Sequence, residues 1–211
     1  MTTPRLELLF PTPIVIAQVE RHKEYKEKFV PLLTQMKLEA PNQAAPWAKL
    51  EHTWTSFSND TGLTVWDEQF KKLVHEYLDY LQGYPIEFEI EIDGWFNVHD
   101  STMYIEQHEH FPSIISGIYY LQLDDTNDYP ATFINPFNKD LDRCNAKGIE
   151  FEAKCDALKS HTFPNYLNIK EGDVVLFPSY LSHLVRRSRS VHDNFRISYA
   201  FNIENKTSYK N

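Results

Sequence analysis

The chain has 211 residues, 42% of them hydrophobic and 14% aromatic, which suffices for one sizeable core and is too short for two comfortable domains. Its formal net charge of −9 repels phosphate backbones and argues against nucleic acid as a partner. The opening Met1-Thr2-Thr3-Pro4-Arg5 has no apolar signal core, and no apolar run approaches the roughly 20 residues that span a bilayer; the expectation is a soluble, cytoplasmic protein with no membrane partner.

In chain order, an extended segment at residues 8–19 comes first, followed by two stretches with helical periodicity. Residues 22–38 place Phe29, Leu32, Leu33 and Met36 at three- and four-residue spacings, with Pro31 expected to kink or split the helix. Residues 67–81 put Phe70, Leu73, Val74, Tyr77, Leu78 and Leu81 on one stripe. Both helices are suited to covering one face of a sheet. From residue 87 the period changes: Phe88, Ile90 and Ile92 alternate with acidic residues in a half-buried strand that leads to Trp95-Phe96-Asn97. Further strands are expected at 103–110, 113–123, 131–134, 166–170, 173–177, 183–187 and 195–203. Tight turns fall at 170–173 and 188–194.

Many strands following helices, instead of alternating with them, predict an all-β core with flanking helices, an antiparallel sandwich or barrel. The expected organisation is one domain over 1–211, with N-terminal helices within about 22–84 and a β core within about 86–203. A charged, irregular stretch at 137–165 reads as a long loop or insertion. Cys144 and Cys155 are too few for a disulfide framework and do not have zinc-pair spacing, so both read as ordinary thiols.

His108 and His110 lie two apart in a predicted strand, so both side chains face the same way and can grip one metal. His183 opens a later strand that a β barrel can bring alongside. Three ligands from one side leave the opposite coordination positions open, as a catalytic iron needs, although imidazole also suits zinc, copper and nickel. Among nine histidines, such a pair also arises without a metal. Arg196 and Ser198 alternate onto one face of the last strand, and a hairpin is expected to join that strand to the one beginning at His183. A guanidinium beside a hydroxyl makes a carboxylate receptor. An internal salt bridge is the plainer alternative for Arg196.

The segments YIEQHEHFPSIISGIYYLQ (104–122), EGDVVLFPSYLSHLV (171–185) and RISYAFN (196–202), in this order and with the upstream LFPTPI, resemble the 2-oxoglutarate/Fe(II) dioxygenase superfamily. The likeness is to its prolyl-hydroxylase-like branch and to oxygenases of phages and marine bacteria. It implies a double-stranded β-helix (jelly roll, cupin-like) and a dioxygenase that uses Fe(II), 2-oxoglutarate and dioxygen. The implied reaction hydroxylates a peptidyl residue or small molecule and releases succinate and CO2, in the host cytoplasm if the protein is viral. The implied metal ligands are His108, His110 and His183, with His110 where most of the superfamily has aspartate. Arg196 would clamp the cosubstrate's distal carboxylate with help from Ser198 and Tyr120, and Asn97 and Tyr104 would line the pocket. Only one of Tyr119 and Tyr120 can point inward. The rival readings are a cupin-like three-histidine metalloenzyme that does not use 2-oxoglutarate and a non-catalytic jelly-roll binding or structural module. An exposed strand edge would leave a homo-oligomer open.

Overall fold

The computed structural model describes residues 12–40, 55–58, 64–82, 90–136 and 167–205. The segment at 137–165 lies outside these residues. Helix α1 (His22–Glu39) buries Tyr25, Phe29 and Leu33. Pro31 does not split it: Glu27 and Pro31 are both exposed, so water can satisfy the carbonyl that proline leaves without a donor. Helix α2 (Glu68–Gln82) starts at Asp67, whose carboxylate accepts the backbone N–H groups of Gln69 and Phe70, an N-cap arrangement. It buries Phe70, Val74, Tyr77 and Leu78.

The strands are β1 (Val15–Gln18), β2 (Thr55–Ser58), β3 (Ile90–His99), β4 (Ile105–His108), β5 (Ile115–Gln122), β6 (Thr132–Phe133), β7 (Asp173–Pro178), β8 (His183–Val185) and β9 (Arg196–Asn205). They form a six-stranded sheet, β1-β7-β5-β9-β3-β2, and a three-stranded sheet, β4-β8-β6, with every pairing antiparallel. This is the jelly-roll architecture expected from the sequence.

Alternation along the large sheet separates two environments. One face, carrying Phe96, Val98, Tyr119, Leu121, Ile197, Tyr199 and Phe201, packs with both helices in a single apolar cluster. The opposite face turns Ile118, Tyr120, Val175 and Phe177 toward Ala131, Phe133 and Leu181 in a second cluster, and the site lies on this side. Glycines on the strands flanking β9 make room for its aromatic row: a Cβ at Gly117 would overlap the Phe201 ring, and one at Gly94 would overlap the end of Tyr199. Gly117→Ala is therefore expected to cost about 1–3 kcal/mol in a denaturant titration. An unchanged midpoint would mean that the Phe201 ring gives way freely.

Several expectations need correction. The described part of 166–170 is a turn and irregular chain, not a strand, with Asn168 at φ 49°. Strand β2, which has no period in so short a segment, was not anticipated. His110 lies beyond the end of β4 instead of within it. The largest change concerns β8 and β9, which form no hairpin: β8 pairs with β4 and β6, while β9 pairs with β5 and β3. The connection crosses from one sheet to the other, so His183 and Arg196 reach the same interior from opposite walls.

Candidate metal centre and cosubstrate pocket

Between the two sheets is a cavity of about 400 Å³, within the size range of small-molecule sites. Strand parity and register set its contents. On the large sheet His99 is level with Arg196; Asn97, Ser198 and Tyr120 form the next rung; Trp95, Ala200 and Ile118 form the one after. All eight residues line the cavity. The small sheet supplies the facing wall, where His108 and His183 are direct cross-strand partners.

His110 joins them through the backbone, because its N–H donates to the Ser179 carbonyl at 3.0 Å. One ligand atom from each of His108, His110 and His183 can be chosen so that all three lie within 4.8 Å of one another. Their tautomers suit a metal. The Nδ1–H of His108 donates to the Glu106 carbonyl at 2.7 Å, and that of His183 to the Leu181 carbonyl at 3.0 Å. Nε2 is therefore the unprotonated nitrogen of each ring, the way backbone carbonyls commonly orient ligating histidines. The His110 and His183 Nε2 atoms are 3.3 Å apart. Phe177 packs edge-on against His183, and Trp95 lies beside His110.

This apolar lining keeps the imidazoles neutral. Burial, reinforced by the neighbouring imidazoles, pushes His183 down to about 3 and His110 to about 4, and burial also lowers His108. The unfolded chain's histidines titrate near about 6.5. Above that pH both states are neutral and the three groups contribute nothing to pH dependence. As pH falls below it, the unfolded state gains protons that the folded state refuses, and stability drops until the folded values are reached. The metal-free protein should accordingly melt at a lower temperature at pH 5 than at pH 7.5. Equal melting temperatures in chelator would contradict the burial of these rings.

At the other end of the cavity is Arg196, only 4% exposed. Its guanidinium donates to the carbonyls of Tyr129 (3.2 Å) and Arg186 (2.9 Å) and to Nδ1 of His99 (2.7 Å). All three acceptors are neutral, and the internal salt bridge held open as an alternative is not formed among the described residues, where no carboxylate lies within ion-pair distance; Asp128 and Asp100 act on this cation from further away. Ser198 is half-buried one rung away. Tyr120 faces the cavity and Tyr119 the helices, where the Tyr119 hydroxyl lies 2.7 Å from Nδ1 of His22. The Tyr120 oxygen accepts the Ala131 N–H at 2.9 Å, and burial raises this phenol to about 12, so it remains a neutral donor. Two further buried atoms on β3, Asn97 Oδ1 and His99 Nε2, have no hydrogen-bond partner among the described residues.

Of the residues singled out in the sequence, His108, His110, His183, Arg196, Ser198, Tyr120 and Asn97 meet around this cavity. Tyr104 does not: it lies beside a separate shallow depression, with the Arg187 guanidinium 4.9 Å from its ring centroid. His99 was missed. The signal for it is the alternation Trp95, Asn97, His99, which continues two residues beyond where the strand was expected to lead.

Residues 93–202 match the family described as "Putative 2OG-Fe(II) oxygenase". The chain belongs to this family. It is accordingly an oxidoreductase, a 2OG-Fe(II) oxygenase that works with Fe(II), 2-oxoglutarate and dioxygen. Solved structures place it in the same fold. A prolyl-4-hydroxylase from Pseudomonas putida is 12% identical, with a TM-score of 0.59 over 92% of this chain and 93% of its own. AviO1 from Streptomyces viridochromogenes is 8% identical, with a TM-score of 0.54 over 93% and 91%. SnoN, an alpha-ketoglutarate-dependent epimerase from nogalamycin biosynthesis, is 13% identical, with a TM-score of 0.52 over 92% and 78%. No curated protein matches the sequence. No described helix of this oxygenase is long and apolar enough to cross a membrane.

The donor set fits the cofactors. Two of the three imidazoles are held with Nε2 as the unprotonated nitrogen, which suits a metal, and a buried cation whose hydrogen-bond partners are uncharged lines the same cavity, which suits a carboxylate.

Proposed function

We propose that this oxygenase hydroxylates a small molecule or a peptidyl residue, with His108, His110 and His183 holding Fe(II) and Arg196 receiving the distal carboxylate of 2-oxoglutarate. The observation that carries the reading is the buried Arg196, without an ion-pair partner among the described residues, in the cavity that the three histidines also line. When bound, the metal supplies the redox chemistry that couples cosubstrate decarboxylation by dioxygen, with release of succinate and CO2, to oxidation of a substrate C–H bond.

The protein's own residues do the rest. The Glu106 and Leu181 carbonyls fix two ligand rings, while Phe177, Ile118 and Ala200 exclude water from the space between metal and cation. Arg196 orients the cosubstrate by charge, and Ser198 and Tyr120 offer hydroxyl donors beside it. Asn97, one rung nearer the metal than Arg196, lines the path between them. Next to the ligands, Phe111 and Tyr180 are exposed, at 93% and 60%. They belong to segments joined by the His110–Ser179 hydrogen bond and offer apolar surface to a substrate at the mouth. We take the chain as one functional unit, with a cytoplasmic setting as its simplest context.

The test is an anaerobic titration with Fe(II) and 2-oxoglutarate, followed by the visible charge-transfer band, together with succinate formation in air. A band that develops only with both components, and succinate that depends on added 2-oxoglutarate, are expected. Metal binding without either response would favour the cupin-like three-histidine enzyme instead.

A further inference from the structure

Among the described residues Arg196 is held by uncharged acceptors, with Asp128 and Asp100 acting on its charge only from beyond ion-pair distance. Arginine has no acceptor atom, so the 2.7 Å contact between its Nη2 and His99 Nδ1 requires the lone pair on Nδ1 and places the ring proton on Nε2. That Nε2–H has no partner among the described residues, although His99 is only 2% exposed. An unsatisfied buried donor is costly, and a leucine at this position would not carry that cost. A carboxylate would pair with Arg196 more strongly than an imidazole does, but it would cancel the charge that an incoming anion needs. Burial, with help from the Arg196 and Lys37 charges, holds His99 well below its ordinary range.

We infer that His99 is a positioning residue for the cosubstrate: it fixes the Arg196 guanidinium as a neutral acceptor and so keeps the full positive charge available for the distal carboxylate of 2-oxoglutarate. The inference rests on the reading of Arg196 given above. It assigns a role to neutrality itself, because the two carbonyls of Tyr129 and Arg186 and one imidazole hold three sides of the fork while adding no negative charge.

The experiment compares His99→Asn, His99→Asp and His99→Leu, using Fe(II)-loaded protein under anaerobic conditions. Two ligands are titrated: 2-oxoglutarate, and 2-oxovalerate, which carries a methyl group where 2-oxoglutarate has its distal carboxylate. Asparagine keeps an uncharged oxygen for Arg196 and should bind 2-oxoglutarate within about threefold of wild type. Aspartate has the same shape with a charge, and leucine removes the acceptor; each should lose about tenfold or more in 2-oxoglutarate affinity while 2-oxovalerate and Fe(II) binding stay unchanged. Melting temperatures of all three variants, read alongside, show whether each is folded. Should the aspartate variant bind 2-oxoglutarate as well as the asparagine variant does, His99 is not needed as a neutral holder and the inference fails. Arg196→Ala separates the two levels of the reading. If it binds 2-oxoglutarate normally, the pocket assignment has failed, and the role of His99 with it; if it loses binding while His99→Asp does not, the inference about His99 alone is overturned.

Discussion

His183→Ala should abolish productive metal binding while leaving a folded protein, with Fe(II) or Ni(II) affinity reduced by at least about 100-fold and substrate oxidation lost with it. His183 is the most buried of the three histidines, at 2% exposure. It faces His108 directly across the β4–β8 pair, and its ring centroid is 4.3 Å from that of His108 and 5.1 Å from that of His110. Its Nδ1–H is committed to Leu181, so Nε2 is the unprotonated nitrogen and the ring has one orientation. Alanine removes that nitrogen and leaves two imidazoles where three converge. The fold should survive because the ring lies at the edge of the second apolar cluster and not within the helix-covered core. Circular dichroism together with calorimetric metal titration checks both statements; affinity retained within a few-fold would show that the metal sits elsewhere.

The three-histidine cluster was legible for a partly different reason from the one that holds in the structure. The spacing of His108 and His110 suggested two residues on one face of a strand, yet β4 ends at His108. A backbone bond from the following turn to Ser179 sets His110 in place. Local periodicity cannot reveal that bond, because its partner is almost 70 residues away in sequence. Arg196 and Ser198 were legible because alternation along a long strand survives in the folded sheet. Their relation to His183 was not: a short polar link between strands reads as a hairpin whether the strands pair or enter different sheets. His99 escaped notice because the alternation that identifies it runs two residues past the expected end of the strand. An isolated histidine also carries no motif until the arginine facing it is known. Tyr104 shows the converse, a residue inside a matching segment that the irregular register between Ile105 and His108 accompanies to a different surface.

Arg196→Ala is expected to weaken 2-oxoglutarate binding by about 100-fold or more, the range for removing a buried charge-assisted contact, with metal affinity unchanged. The metal should be indifferent because Arg196 shares no hydrogen bond with the three histidines; its contacts are with Tyr129, Arg186 and His99. These same contacts predict a structural cost. Alanine leaves two carbonyls and one imidazole nitrogen without their donor, so the melting temperature should fall by several degrees, consistent with about 1–3 kcal/mol for buried groups left unpaired. Arg196→Lys should restore only part of the binding, since one ammonium cannot replace a planar fork that reaches three acceptors and a ligand together. The distinguishing readout is ligand preference. Wild type should strongly prefer 2-oxoglutarate to 2-oxovalerate, and the alanine variant should bind the two almost equally. A variant that keeps the preference would place the distal carboxylate against some other group and would leave this buried cation without a ligand.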